Sequence, residues 1–231
     1  MIVSVHQPQY LPWLGYFDKI SKSDCFVFLD TVQYKIREFQ NRNKIRIKDG
    51  CIWLSVPVMS KGHYKQNIDE VCIDNDADWA IEHKKSLMVW YGKSAYFKKY
   101  FPFFEDVYSK KWDKLIDLNI YIIKYILEQL KINTPLYLES ELGSTKKSTE
   151  RIIEICQKLE ADIYLSGSGG KDYMDEGLFS QTGISLQYQQ FNHPCYQQQF
   201  ISTAHPFHPY MSIIDLLFNE GPRSINIIRG Q

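Results

Sequence analysis

The sequence lacks a charge imbalance, paired cysteines and any long unbroken apolar run, and each absence removes a class of protein. Lys and Arg total 27 and Asp and Glu total 27, so no uniform field draws the chain to nucleic acid or an anionic membrane. The five cysteines, Cys25, Cys51, Cys72, Cys156 and Cys195, are odd in number and widely spaced, with no C-x-x-C pair. That pattern indicates neither a disulfide framework nor a zinc site. The most apolar segment, Leu115–Leu130, is interrupted by Asp117, Asn119, Lys124, Glu128 and Gln129, so no membrane span is expected. Met1 opens directly onto an apolar run with no basic segment ahead of it, and a soluble, cytoplasmic chain is expected.

Two nucleotide fingerprints are also missing. In the loop Ser166-Gly167-Ser168-Gly169-Gly170, Gly167 and Gly169 fit G-x-G, but Asp172 occupies the third glycine position. Gly170-Lys171 is followed by Asp172, and Leu165 stands where a P-loop has its first glycine. His193, His205 and His208 lie close together in the tail, yet their spacing matches no metalloprotease helix, and no metal site is expected.

What is present is enough apolar residue in 231 to bury a sizeable core, and an aromatic content of 15%, which suits sugars, nucleobases or protein interfaces. The chain is organised around its opening, MIVSVHQPQYLPWLGYF. Ile2, Val3 and Val5 predict a buried strand that ends in His6 and Gln7. Pro8 and Pro12 then bracket an aromatic turn with Tyr10 and Trp13, before a helix over Tyr16–Ser23. Cys25–Leu29 predicts a second strand, with Asp30 at its end; if the two strands are parallel neighbours, His6 and Asp30 share one rim of the sheet.

Between Thr31 and Lys48, basic residues alternate with amides: Gln33, Arg37, Asn41 and Arg42 suit an anion grip, and a solvated basic face is the other reading. Cys51–Val58 and Ile68–Ile73 predict further strands, with a turn at Lys61-Gly62 between them. Trp79–Trp90 and Leu115–Lys131 predict helices, and Pro102 is expected to interrupt any helix in the aromatic stretch Tyr91–Trp112. That stretch reads either as core packing or as a groove for a sugar or other partner. His83 reads as a surface or packing residue.

Ser148–Leu159 predicts an amphipathic helix with Ser148 as its N-cap, followed by a strand over Asp162–Leu165 and the glycine loop. A helix is expected from Lys171 and a strand over Ile184–Phe191. Ser212 is placed to cap a last helix on which Asp215 and Asn219 share a face. The expected architecture is α/β: a Rossmann-like, mostly parallel sheet with helices on both faces, one domain over residues 1–231, and a helical, aromatic-rich insertion at about 75–135.

Several motifs together carry a resemblance. HQPQYLPWLGYF, DTVQY with NRNKIR, WLSVPV with KG, YLSGSGGKDYMDE and SIIDLLFNEGP resemble the WbqC-like family over nearly the whole chain. That family takes its name from bacterial gene clusters for lipopolysaccharide O-antigen. The resemblance therefore implies work on an unusual amino-sugar carried on a nucleotide. A weaker similarity links Trp13-Leu14-Gly15-Tyr16 to the H-x-G-H region of nucleotidyltransferases and pantothenate synthetase-like ligases, with Trp13 and Tyr16 replacing both histidines.

The leading expectation is an enzyme that transfers an acyl or aminoacyl group to the amine of a nucleotide-linked amino-sugar, using an acyl or aminoacyl donor. His6 is the candidate base, and Asp30 is either its orienting partner or a group that holds the sugar. Gln7, Gln33, Arg37, Asn41, Arg42, Asp215 and Asn219 are candidates for substrate contact. Tyr10 and Trp13 are placed to stack, and Ser166, Gly167, Ser168, Gly169 and Gly170 to supply amide donors. The alternatives are an ATP- and magnesium-dependent amide ligase and a non-catalytic glycan- or partner-binding module. No nucleic-acid partner is expected, and Leu115–Leu130 suits either a homodimer interface or a buried core helix.

Overall fold

A computed structural model describes residues 1–59, 62 and 65–230. Its centre is a five-stranded, all-parallel sheet. In chain order the strands are β1 (Ile2–His6), β2 (Cys25–Phe28), β5 (Leu136–Leu138), β6 (Ile163–Ser166) and β7 (Ser185–Tyr188), and they lie side by side as β5-β2-β1-β6-β7. β3 (Arg42–Ile47) and β4 (Gly50–Ser55) form a separate antiparallel ribbon. The first β-α-β unit is as the sequence predicts: α1 (Leu14–Ser21) joins β1 to β2, and Val3 pairs with Cys25 and His6 with Phe28.

Successive strand residues point to opposite sheet faces, and the central strands are buried on both. Phe26 and Phe28 pack with Leu14, Phe17 and Ile20 of α1 on one face. They share that core with residues of α2 (Trp79–Tyr91), α3 (Phe97–Ser109), α4 (Leu115–Gln129) and α8 (Ile213–Glu220). Val3, Val5, Cys25 and Val27 point the other way, toward Ile152, Ile155 and Cys156 of α6 (Ser148–Lys158) and Phe179 of α7 (Glu176–Ser180). Two short helices, α5 (Glu139–Leu142) and α9 (Ser224–Arg229), complete the helical set.

The structure corrects several expectations. The segment predicted as a strand at Ile68–Ile73 is a 3₁₀ turn over Ile68–Glu70, followed by isolated bridges at Cys72 and Ile73. Asn67 and Glu70 form a reciprocal capping box that starts the turn. α3 continues through Pro102; Pro102 and Lys98, whose carbonyl loses its helical partner at the proline, both lie on the exposed side of the helix, where the missing bond costs least. Ser148 makes no capping bond and has φ +51. Glu154 instead reaches back to accept from the amides of Thr145 (2.9 Å) and Lys146 (3.0 Å).

The helix expected from Lys171 is split: a 3₁₀ turn covers Ser168–Asp172, and an α-helix forms only from Glu176, where the Asp175 carboxylate caps it by accepting from Gly177 and Leu178. Ser212 caps α8 as expected, accepting from Ile214. The aromatic stretch is core: Tyr91, Tyr100, Phe104 and Tyr108 are buried, and Phe97 stacks on Phe101. α4 turns its apolar residues into the same core and exposes Asp117, Tyr121, Lys124 and Glu128. Lys61, in the expected Lys61-Gly62 turn, lies outside the described residues. Among the described residues, no helix is long and apolar enough to cross a membrane.

Candidate functional site

From β1 the chain moves to β2 and β5 on one side, and later to β6 and β7 on the other. The strand order therefore reverses between β1 and β6. In open α/β sheets, the crevice outside the carboxyl ends of two such strands is where ligands bind. Here β1 delivers His6 and Gln7 to that rim, and β6 delivers Ser166 and the glycine loop.

His6 lies on the α1 face of the sheet, its ring edge-on to Tyr16 with centroids 5.0 Å apart. Its Nδ1 lies 3.1 Å from the Gln7 carbonyl oxygen. Desolvation, with a further push from the nearby Lys19 charge, lowers its pKa to about 3, so the imidazole is neutral. Lys19 is the residue that the sequence reading did not single out. It is 2% exposed, and its Nζ donates to the Val5 carbonyl at 3.1 Å. Burial lowers its pKa to about 7. The adjacent Asp18 does not neutralise it: Asp18 pairs with Lys22 at 2.9 Å and accepts from Gln189 Nε2 at 2.6 Å. The signal was there, because α1 is apolar nearly all round and two consecutive charges within it cannot both reach water.

The glycine loop crosses this site. Gly170 is demanded by packing, since a Cβ there would collide with Ser166 Oγ. Gly167 is different: its φ is −64°, and a Cβ would meet only Lys19 Nζ, at 3.9 Å. Gly169 would place a Cβ in open space.

Trp13 lies over the start of α1, where a Cβ on Gly15 would strike its ring. It packs edge-on to Phe191 at 5.4 Å and lies parallel to His193 at 6.5 Å, with the exposed Tyr210 alongside. Phe191 follows β7, and Gln189 at the end of that strand donates to the Gly15 carbonyl at 2.8 Å. This half-buried aromatic group thus belongs to the same end of the sheet.

Other candidates prove to have structural partners. Tyr10 is fully buried and its hydroxyl bonds to His83 Nδ1 (2.8 Å) and Tyr108 Oη (2.7 Å), so its ring offers no face to a ligand. His83 is accordingly a packing residue, with a pKa lowered by burial to about 4. Asp30 shares the rim with His6 but does not orient it. Its carboxylate accepts from the Ser140 amide at 3.0 Å and from the Ser140 hydroxyl, at the start of α5. Asp215 is fully buried and accepts from Tyr91 Oη (2.8 Å), Tyr196 Oη (2.7 Å) and Gln198 Nε2 (2.8 Å). Desolvation raises its pKa. The half-buried Asn219 donates to the Asp215 carbonyl at 2.7 Å.

The basic stretch is partly exposed and partly structural. Gln40 is buried and bonds Gln7 Oε1, and Asn43 holds the Leu11 carbonyl at 2.7 Å, so these amides fix the opening loop. Asn41 donates to the Val56 carbonyl at 2.8 Å. Arg42 stacks on the half-exposed Trp53 ring at 4.3 Å and bonds the Arg37 carbonyl, while the Arg37 side chain is exposed. Gln33 is exposed, and its backbone bridges Asn67. An open recess lined by Lys99, Glu128, Lys131, Pro222 and Asn226 shares no residue with this rim.

The model of the WbqC-like protein family matches residues 7–227, from the residue after His6 through the glycine loop to α9. The chain belongs to this family. It is similar to the uncharacterized protein Rv1507c of Mycobacterium tuberculosis (strain ATCC 25618 / H37Rv). The two are 33% identical over 228 residues, covering 98% of this chain and 97% of that protein. No solved structure matches the chain.

Proposed function

We propose that this family member is an enzyme of bacterial surface-polysaccharide (O-antigen) synthesis. In this reading it transfers an acyl or aminoacyl group to the amine of a nucleotide-linked amino-sugar bound at the carboxyl ends of β1 and β6. The observation that carries the reading is the convergence at the switch point of a neutral histidine, a buried lysine and a glycine-rich loop.

An amine that attacks an activated carbonyl must lose a proton, and the oxygen gains charge in the transition state. Neutral His6 has a free ring nitrogen for the amine. Its basicity is low because burial disfavours the imidazolium, with a further push from the Lys19 charge, and the negative phosphates of a bound nucleotide favour the imidazolium. His6 thereby becomes a competent proton acceptor only once substrate is in place. The Gly170 amide is held by the Gly167 carbonyl at 2.9 Å, so within the loop the amides of Ser168 and Gly169 supply donors to anionic oxygen, and Trp13 presents an aromatic wall to the sugar or base. Arg37, Asn41 and Arg42 lie on the loop that Gln40 ties to Gln7, where positive charge steers an anionic substrate toward the rim.

The test is acyl transfer to nucleotide-linked amino-sugars, with acyl and aminoacyl donors, followed by product mass. The reading expects turnover that falls about 10²–10⁴-fold in kcat for His6→Ala, with KM changed little. Turnover that requires ATP and magnesium would replace it with the ligase reading. Tight sugar binding that never leads to product, and that His6→Ala abolishes, would replace it with a binding module.

A further inference from the structure

We propose that Lys19 Nζ and the backbone of the Gly167-Ser168-Gly169 segment form a diphosphate-binding site, which on the reading above holds the diphosphate of the nucleotide-linked substrate. Two independent features of the fold meet here.

The first is a buried cation without an anion. Lys19 donates to the Val5 carbonyl and lies 5.9 Å from the centre of the Phe26 ring, and among the described residues no carboxylate pairs with it. Asp18, its chain neighbour, is already held by Lys22 and Gln189. Burying an ammonium group is costly unless it is paired, and an unpaired one loses affinity for its proton. An arriving anion supplies the missing partner and favours the charged lysine. Lysine serves phosphate well as a compact point charge.

The second is a pair of glycines that the fold does not require. Glycine is needed where φ is positive or where a Cβ would collide. Gly170 meets the second condition against Ser166. Gly167 and Gly169 meet neither: both lack positive φ, and a Cβ would meet only Lys19 Nζ at the first and nothing within 4 Å at the second. Ser168 and Gly169 are the first two residues of a 3₁₀ turn over Ser168–Asp172, so no carbonyl within that turn accepts from their amides. Two glycines flanking the short Ser168 side chain, with Lys19 Nζ 3.9 Å from where a Gly167 Cβ would lie, leave room for a tetrahedral anion to approach the amides.

Isothermal titration of the full chain with pyrophosphate, uridine diphosphate and acetate tests the assignment. Lys19→Met keeps the shape of the side chain without its charge, and Gly169→Ala adds one methyl group to open space, so both variants are expected to fold. Pyrophosphate and uridine diphosphate are expected to bind the native chain, to bind both variants about tenfold to a hundredfold more weakly, and to outcompete acetate. Pyrophosphate binding that is absent, that survives both substitutions unchanged, or that acetate equals overturns the proposal. Uridine diphosphate binding that does not depend on Lys19 removes the diphosphate site and leaves the nucleotide reading standing. Lys19-dependent pyrophosphate binding with no preference for a nucleotide does the reverse.

Discussion

Replacing Lys19 by methionine makes the chain more stable, and the gain depends on pH in a way that only this lysine produces. Burial moves the Lys19 pKa from the ordinary 10.5 to about 7, which corresponds to about 5 kcal/mol between the charged forms in the two states. The folded pKa is the lower one, so the unfolded chain binds more protons between pH 7 and 10.5, and native stability rises with pH across that window. Below pH 7 both states carry the proton and the folded state bears the full penalty. Between pH 7 and 9 the native chain therefore recovers about 2 kcal/mol that Lys19→Met never lost. Urea unfolding of both proteins at pH 7, 8 and 9 measures this difference. The window excludes His6, whose own titration lies lower. A stability gap that stays constant across these pH values would mean that Lys19 binds its proton equally in both states, and the argument for an uncompensated buried cation would fail.

His6 is held neutral by burial and by Lys19, with a folded pKa of about 3 against an ordinary 6.5. Nitrogen chemical shifts of its ring should therefore remain those of a neutral imidazole at pH 5, and native stability should fall as pH drops below 6.5. Tyr10→Phe removes a hydroxyl shared by His83 and Tyr108 inside the core. It should cost about 1–3 kcal/mol in chemical unfolding and leave ligand affinity unchanged. Asp215→Ala strands the donors of Tyr91, Tyr196 and Gln198 and removes the negative charge facing buried Arg46. A loss of about 3–5 kcal/mol is expected, and a loss below 1 kcal/mol would show that this network does not anchor α8.

The first β-α-β unit was legible because its strands are short β-branched and aromatic runs buried on both faces, with turn residues at each end. β3 was not, because Ile45 and Ile47 alternate with Lys44 and Arg46, and the charges read as a surface run. Asp49-Gly50 after it is a hairpin signal that identifies the ribbon in hindsight. Arg46 shows why the run misleads: it is fully buried, donating to the Gly50 (3.2 Å) and Pro206 (3.1 Å) carbonyls, the second far away in the chain.

The site was half legible for the same kind of reason. Strand ends and a glycine loop are local signals, so His6 and Ser166–Gly170 could be marked from the chain alone. Whether a polar side chain finds a partner is decided by residues distant in sequence. Asp215 meets Tyr91, Asp30 meets Ser140, and Lys19 meets no acid among the described residues. Sequence spacing carries none of these outcomes. Gly167, Gly169 and Gly170 look alike in the sequence, and only the space around each one separates a glycine that packing requires from two that it does not.

The most direct test of the account is amide hydrogen exchange of the native chain with and without a uridine diphosphate-linked amino-sugar. The account predicts slowed exchange in the segments spanning residues 6–19 and 166–173, where the carboxyl ends of β1 and β6 meet. Protection confined to the β3–β4 ribbon, or to the recess beside Lys99 and Pro222, would place the ligand elsewhere and contradict it.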